Sequence, residues 1–368
     1  MGLLYDSVAA GMWAYTNAAF DVQVLGERRF VLERGTLILS THRRESDVPV
    51  ICPPLYYGAA MWRNRGRTMS FAARDDMFLP GFFAGFPPGL SPRARRVLNP
   101  VSVGRFLPRV RVHPISSASV ARASEVVRAL PESSLTEVLP GEAVAALAAR
   151  AAERQLPSPV HGRDVLSGDY VDVLWTAVTR DDVPALDDFW ARRAARAAGD
   201  FRRLVEIVRE GGILVVFPEG RPSPDGEIGP LRRGLSALVR RSQPSSVFPV
   251  GIAYDPLVRG RMRVLVAVGP RLDVPAGDVE KELLALLKRQ TPLSVGQYVA
   301  HELLAGREPT DSGLREAGEE AMGEERPLDP DLRDADRRLV RLAEARVAAE
   351  ERPHELPFLA REYASARE

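Results

Sequence analysis

The sequence predicts an α/β protein, a mixed sheet covered by helices, with an N-terminal helix, a helical insert and a helical C-terminal tail. Three observations carry this. Strand-like and helix-like segments alternate through most of the chain, as in a sheet with helical cover. "ILVVFPEG" (213–220) is a short continuous apolar run ending in a turn, the mark of a buried strand. Residues 117–195 change texture to alanine-rich helices joined by polar and proline-containing turns.

In order, Leu4, Val8, Met12, Tyr15 and Ala19 recur at helical spacing and give an amphipathic first helix, which packs either on its own domain or on lipid. "FDVQVLG" and "RFVLERGTLILST" read as β-branched strands split by Gly26 and Gly35. "VPVICPPLYYGAAMW" is an apolar helix, opened by Ser46 or Asp47 as cap with a proline in its first turn. "TMSFAAR" is the next buried strand, "MFLPGFFAGFPPGL" a loop or broken helix, and "RVRVHPI" another short strand. "ASVARASEVVRAL" and "EAVAALAARAAERQ" are the insert's helices, and a long helix then stops at Gly211-Gly212. "LRRGLSALVRRS" is helical, and "SVFPVGIAYDP" and "RMRVLVAVG" are strands. From Gly306 a polar linker leads to "DADRRLVRLAEARVAAEE", a helix whose charges face water. The expected organisation is one domain over 1–305, with its insert at about 117–195, followed by a charged linker and C-terminal helix over 306–368.

The chain has 368 residues, 45% hydrophobic and 27% charged, the balance of a soluble globular protein. A net charge of +1 gives no overall field for nucleic acid. The single cysteine, Cys52, leaves no internal disulfide and no CxxC metal knuckle, which fits a reducing, cytoplasmic setting. "LLYDSVAAGMWAYTNAAF" is too short, and too interrupted by Asp6 and Asn17, for a membrane span, and it lacks the basic start of a signal peptide.

"LILSTHRRESDVPV" (37–50) ends a strand on His42 and places Asp47 five residues on. On one helix those side chains would stand roughly 140° apart. With His42 at a strand end and Asp47 at the mouth of the next helix, the turn can fold the carboxylate onto the imidazole, the arrangement of an oriented general base. The other reading is a satisfied loop histidine beside a capping aspartate. "VVFPEGRPSPDG" (215–226) raises a parallel choice. Glu219 and Arg221 stand at the carboxyl end of a strand, where open α/β sheets bind ligands. Gly220 permits close backbone approach, and Arg221 offers a fork of donors suited to phosphate. Alternatively both side chains pair with neighbours.

The two features together resemble the glycerophospholipid acyltransferase family, which includes the 1-acylglycerol-3-phosphate acyltransferases. Its His-x4-Asp block is similar to "HRRESD", its Phe-Pro-Glu-Gly block to "FPEGRPSPDG" and its proline-containing strand to "VFPVGIAYDP", in the family's order. The resemblance covers about residues 1–305 apart from the insert. Two departures stand out. The usual Glu-Gly-Thr-Arg is Glu219-Gly220-Arg221-Pro222 here, and the arginine of the second block is either Arg109 or Arg111 in "LPRVRVHPIS".

The resemblance implies acyl transfer from acyl-CoA or acyl-carrier protein to a hydroxyl of a lysoglycerophospholipid, by default 1-acylglycerol-3-phosphate. His42 is then the base, Asp47 its orienting partner, and Glu219, Gly220 and Arg221 the acceptor site, with Arg109 or Arg111 as phosphate contact. No metal or other cofactor is implied, because a thioester is already activated. Arg63, Arg65, Arg67, Arg74, Arg93, Arg95, Arg96, Arg105, Arg109 and Arg111 face only Asp75 and Asp76 between 61 and 111, a basic run for lipid headgroups or CoA phosphates, or a solvated face. Phe78, Phe82, Phe83 and Phe86 either touch a membrane surface peripherally or wall the core. Two rival functions are a lipid ester or thioester hydrolase using Ser40, and a non-catalytic lipid-binding scaffold; no Gly-x-Ser-x-Gly elbow supports the first.

Overall fold

A computed structural model of the chain describes residues 3–26, 33–44, 46–57, 68–85, 91–274 and 277–367. Its strands are β1 (Phe20–Leu25), β2 (Thr36–Ser40), β3 (Met69–Arg74), β4 (Val112–Ile115), β5 (Val120–Arg122), β6 (Ala177–Thr179), β7 (Ile213–Val216), β8 (Ser246–Asp255) and β9 (Met262–Val268). The chain divides into two compact units, residues 1–71 with 205–368, and residues 72–204.

The sheet of the first unit runs β1-β9-β8-β2-β7-β3. β2 lies between β8 and β7 and is parallel to both, with Leu39 opposite Pro249 on one side and Val216 on the other. β8 and β9 are antiparallel, which makes the sheet mixed. Every residue of β2, β7 and β8 is buried. Strands covered on both faces have no solvent side to mark with polar residues, so "TLILS" and "ILVV" do not alternate. Pro249 costs β8 no ladder bond to β9, whose pairing starts at Val250 opposite Val268, and its carbonyl still accepts from the amide of Gly269.

The parallel register places the site. β2 and β7 end level with each other, so the chain leaves both at the same edge, one towards His42 and the other towards Phe217-Pro218-Glu219. Neighbouring strands lie about 4.8 Å apart, which brings the two exits within side-chain reach.

The C-terminal segment departs from the linker its polarity suggests. Asp311–Gly323 is helical and Thr310 caps it. Leu314, Ala317 and Ala321 form its buried stripe, in one core with Val295, Tyr298, Leu342, Ala345 and Tyr363. Two of those three stripe residues are alanines, too weakly apolar to stand out among the charges. The Ala335–Glu351 helix also buries charge: Arg341 lies 3.4 Å from Asp255, and Arg338 pairs with Asp311 at 2.6 Å.

The second unit has its own core, with Leu147, Val165, Val178 and Trp190 among its buried residues. It is not wholly helical across 117–195, for β5 and β6 form an antiparallel pair there. Three-residue strands are too short to show a period of two. "RVRVHPI" yields only the four residues of β4, because Arg111 takes a left-handed φ of 61° after a 3-10 turn. The basic run is partly neutralised: Arg74 meets Asp76 at 2.6 Å, Arg95 meets Asp172 at 3.0 Å and Arg96 meets Asp169 at 2.9 Å. Phe82 stacks edge-on against Phe83 and stands near Trp175, while Phe83 is exposed. Arg63, Arg65, Arg67 and Phe86 lie outside the described residues.

Candidate active site

His42 follows β2 by two residues, and Asp47 opens the Asp47–Tyr57 helix. The turn between them returns the carboxylate to the ring, with His42 Nδ1 2.8 Å from Asp47 Oδ2. The same oxygen accepts the backbone N–H groups of Arg43 at 2.6 Å and Arg44 at 3.1 Å, and Oδ1 accepts from the Tyr254 hydroxyl at 2.7 Å. Asp47 therefore closes its own turn rather than simply capping a helix, and it sits at the positive helix end that favours a carboxylate. An oxygen already taking two backbone donors acts as acceptor towards the ring, so Nδ1 carries the proton and Nε2 holds the free lone pair. Among the described residues Nε2 has no hydrogen-bond partner, and the side chain is 14% exposed while Asp47 is fully buried.

Tyr254 is the functional neighbour that the sequence reading missed. Burial above all, and then Asp47, holds its phenol well above the ordinary range, so it remains a donor at neutral pH. Ser46 Oγ lies 3.0 Å from its hydroxyl. Strand register places it there: Tyr254 stands four residues past Val250, which pairs with Ser40 at the end of β2.

The Phe217–Gly220 turn lies directly beside this pair. The Phe217 ring covers the imidazole at 4.5 Å between centroids. Glu219 is buried, and its carboxylate accepts from the His42 backbone N–H at 2.8 Å and more weakly from Gly229 N–H at 3.4 Å. The His42 carbonyl in turn accepts from Ser223 N–H at 2.9 Å. Both backbone groups of the histidine are thus fixed by the second motif. Burial raises the Glu219 carboxyl above its ordinary range, against the opposing pull of Arg43 and the two backbone donors. Glu219 faces the histidine's backbone.

Gly220 and Arg221 are exposed on the same turn. Gly220 has φ +74°, and a side chain there would press on Arg232, whose Nε donates to the Glu219 carbonyl at 3.2 Å. Arg232 is a second exposed guanidinium beside Gly220 that the motif alone did not reveal. Arg109 and Arg111 are exposed in the second unit. Ser40 is buried, with its hydroxyl donated to the Thr41 carbonyl at 3.1 Å. A cavity of about 830 Å³ is lined by Pro224, Asp225, Glu227, Phe358 and Arg361 among others; neither His42 nor Asp47 forms its walls.

Residues 170–253 match a family model described as Acyltransferase, a stretch that includes the Phe217–Gly220 turn and most of β8. His42 and Asp47 precede the match, which spans under a quarter of the chain. Among solved structures the chain is similar to the 1-acyl-sn-glycerophosphate (LPA) acyltransferase PlsC from Thermotoga maritima, at 14% identity and a TM-score of 0.39, covering 77% of this chain and 76% of that one. No curated protein matches. No helix among the described residues is long and apolar enough to cross a membrane.

Proposed function

We propose that this protein is an acyltransferase that moves a fatty acyl group from a thioester, acyl-CoA or acyl-carrier protein, to a hydroxyl of a lysoglycerophospholipid, with 1-acylglycerol-3-phosphate as the acceptor. The observation that carries the reading is the His42–Asp47 pair at 2.8 Å, with Nε2 unengaged among the described residues and the Glu219 turn beside it.

Nε2 takes the proton of the acceptor hydroxyl as its oxygen forms a bond to the thioester carbonyl carbon. The C–S bond then breaks, and the thiolate leaves and recovers the proton from the imidazolium. Asp47 carries the counter-charge for that imidazolium. General-base assistance of this kind is worth about 10²–10⁴-fold, or roughly 3–5 kcal/mol of barrier. Glu219 serves by holding the histidine's backbone, while Arg221, with Arg232 beside it, meets the acceptor's phosphate; a guanidinium fork orients as well as attracts. Arg109 and Arg111 stay as alternative phosphate contacts. The enzyme works from the cytoplasmic side at a membrane surface, where its acceptor resides. Ser40's buried, donated hydroxyl speaks against the hydrolase alternative.

The test is purified protein with acyl-CoA or acyl-carrier protein and a panel of phosphorylated and unphosphorylated acceptors, with products identified by mass. The expected product is a diacylated phosphoglycerol from 1-acylglycerol-3-phosphate. Release of free fatty acid alone, or consumption of no donor with any acceptor, contradicts the proposal.

A further inference from the structure

The Leu356–Ser365 helix begins more than a hundred residues beyond the segment that matches the acyltransferase family, yet it reaches the chain next to both motifs. Arg43, the residue after His42, is 2% exposed. Its Nε lies 3.2 Å from Glu362 Oε1, with both side chains fully buried, and its Nη1 donates to the carbonyls of Gly226 and Glu227, each at 3.3 Å. Glu362 is held in turn by Gln297 Nε2 at 2.8 Å, and Gln297 is fixed by a capping box with Ser294. On the same helix Ser365 Oγ accepts from Ile228 N–H at 3.0 Å. Just ahead of it, Glu355 pairs with Arg44 at 3.0 Å. Gly226 has φ +93°, and a Cβ there would stand 2.1 Å from the Phe358 carbonyl, so helix and loop backbones touch.

We propose that Glu362 is a positioning residue for His42, acting through Arg43 to hold the histidine turn and the Glu219 loop in one geometry. This rests on the reading of His42 as general base. Arg43 shares a peptide bond with His42, and its own N–H is one of the donors that seat Asp47. Any shift of the Arg43 side chain therefore moves the imidazole and its orienting carboxylate together. A displacement of about 1 Å costs reactions of this kind about 10²-fold.

The pair is poorly built for stability alone. Arg43 Nε and Glu362 Oε1 are close but not aligned as a hydrogen bond, and among the described residues Arg43 Nη2 is buried without a partner. Buried ion pairs of this sort are often replaced by apolar side chains without loss of stability. Stability and turnover are therefore expected to separate.

The experiment uses the full-length protein and two variants, the double substitution Arg43→Met with Glu362→Leu, and the single Glu362→Gln. Burial already raises the Glu362 carboxyl above its ordinary range, so the neutral amide is tolerated there. Expected are an unchanged melting temperature for the double variant and a lowered one for Glu362→Gln, which leaves the buried Arg43 without its counter-charge; for both, kcat falls about 10–100-fold with KM within about twofold. The His42 Nδ1 proton, shifted downfield by its bond to Asp47 in wild type, should move or broaden in the NMR spectrum of each. A folded variant with wild-type kcat and an unmoved signal overturns the proposal. So does a double variant that fails to fold while Glu362→Gln keeps wild-type kcat. His42→Ala separates the two ideas. If it retains turnover, the base assignment fails; if it is inactive while both variants turn over normally, only the positioning role fails.

Discussion

Asp47 and Asp169 each gather several donors, in opposite ways. Asp169, in the second unit, is clamped by the side chains of Arg96 and Arg154 at 2.9 and 2.7 Å, and these arginines, with Arg96 first, pull its carboxyl below the ordinary range. Asp47 takes two backbone N–H groups, a phenol and an imidazole, with no arginine or lysine side chain among its hydrogen-bond partners within the described residues. Its negative charge is oriented but not cancelled by a bonded cation. A carboxylate meant for structure is best neutralised on the spot. One meant to stabilise an imidazolium has to keep its charge available until the proton arrives.

Three substitutions sharpen the contrast. Asp47→Ala leaves buried donors without an acceptor and should cost about 1–3 kcal/mol for each donor that finds no other partner, read in denaturant unfolding, with turnover abolished; a total loss below about 1 kcal/mol would mean that the turn is not held as described. Asp169→Ala should cost less, about 1–2 kcal/mol, because water reaches the exposed Arg96 and most of the cost falls on the largely buried Arg154. Tyr254→Phe removes one donor from Asp47 and should lower stability by about 1 kcal/mol with a modest loss of kcat. If Tyr254→Phe proves worse than Asp47→Ala, the order of importance drawn from the contacts is wrong.

Glu219→Gln tests the sign of a buried charge. Its carboxyl is raised in the folded state, so the protein is relieved of any penalty below pH 4.5, where the unfolded carboxyl is also protonated. As pH rises from there through the raised folded value, charging the buried group costs stability. The amide keeps an acceptor for His42 N–H without that cost. Glu219→Gln should therefore melt higher than wild type at pH 7, and the gain should fade as pH falls towards 4.5. A lower melting temperature at pH 7 would show that the charge itself is needed. The smallest effect concerns Cys52, whose thiol burial pushes up to about 12. A thiol reagent at pH 8 should leave the folded protein unlabelled and react only on unfolding.

Much of this was legible in the residues. The two motif turns lie together because β2 and β7 are parallel neighbours in register, and their uninterrupted apolar runs announced buried strands. The histidine–aspartate geometry followed from a strand end meeting a helix start. Arg43, Tyr254 and Glu362 were not legible, because their partners lie 183, 207 and 65 residues away in the chain and no local pattern marks a tertiary hydrogen bond. Glu219 was expected to face the acceptor because it sits at the carboxyl end of a strand. The strand end does place Glu219 beside His42, whose backbone N–H its carboxylate satisfies, a tertiary bond that no local pattern marks. The C-terminal helices were obscured by alanine stripes among charges, and β5 and β6 by their brevity.

The claim beneath all of this is that His42, backed by Asp47, removes the acceptor's proton. Thiol release from acyl-CoA in the presence of the acceptor, compared between wild type and His42→Ala with matched circular dichroism and melting temperature, measures it directly. The account predicts a fall of at least about 10²-fold in the folded variant; turnover near the wild-type rate would contradict it.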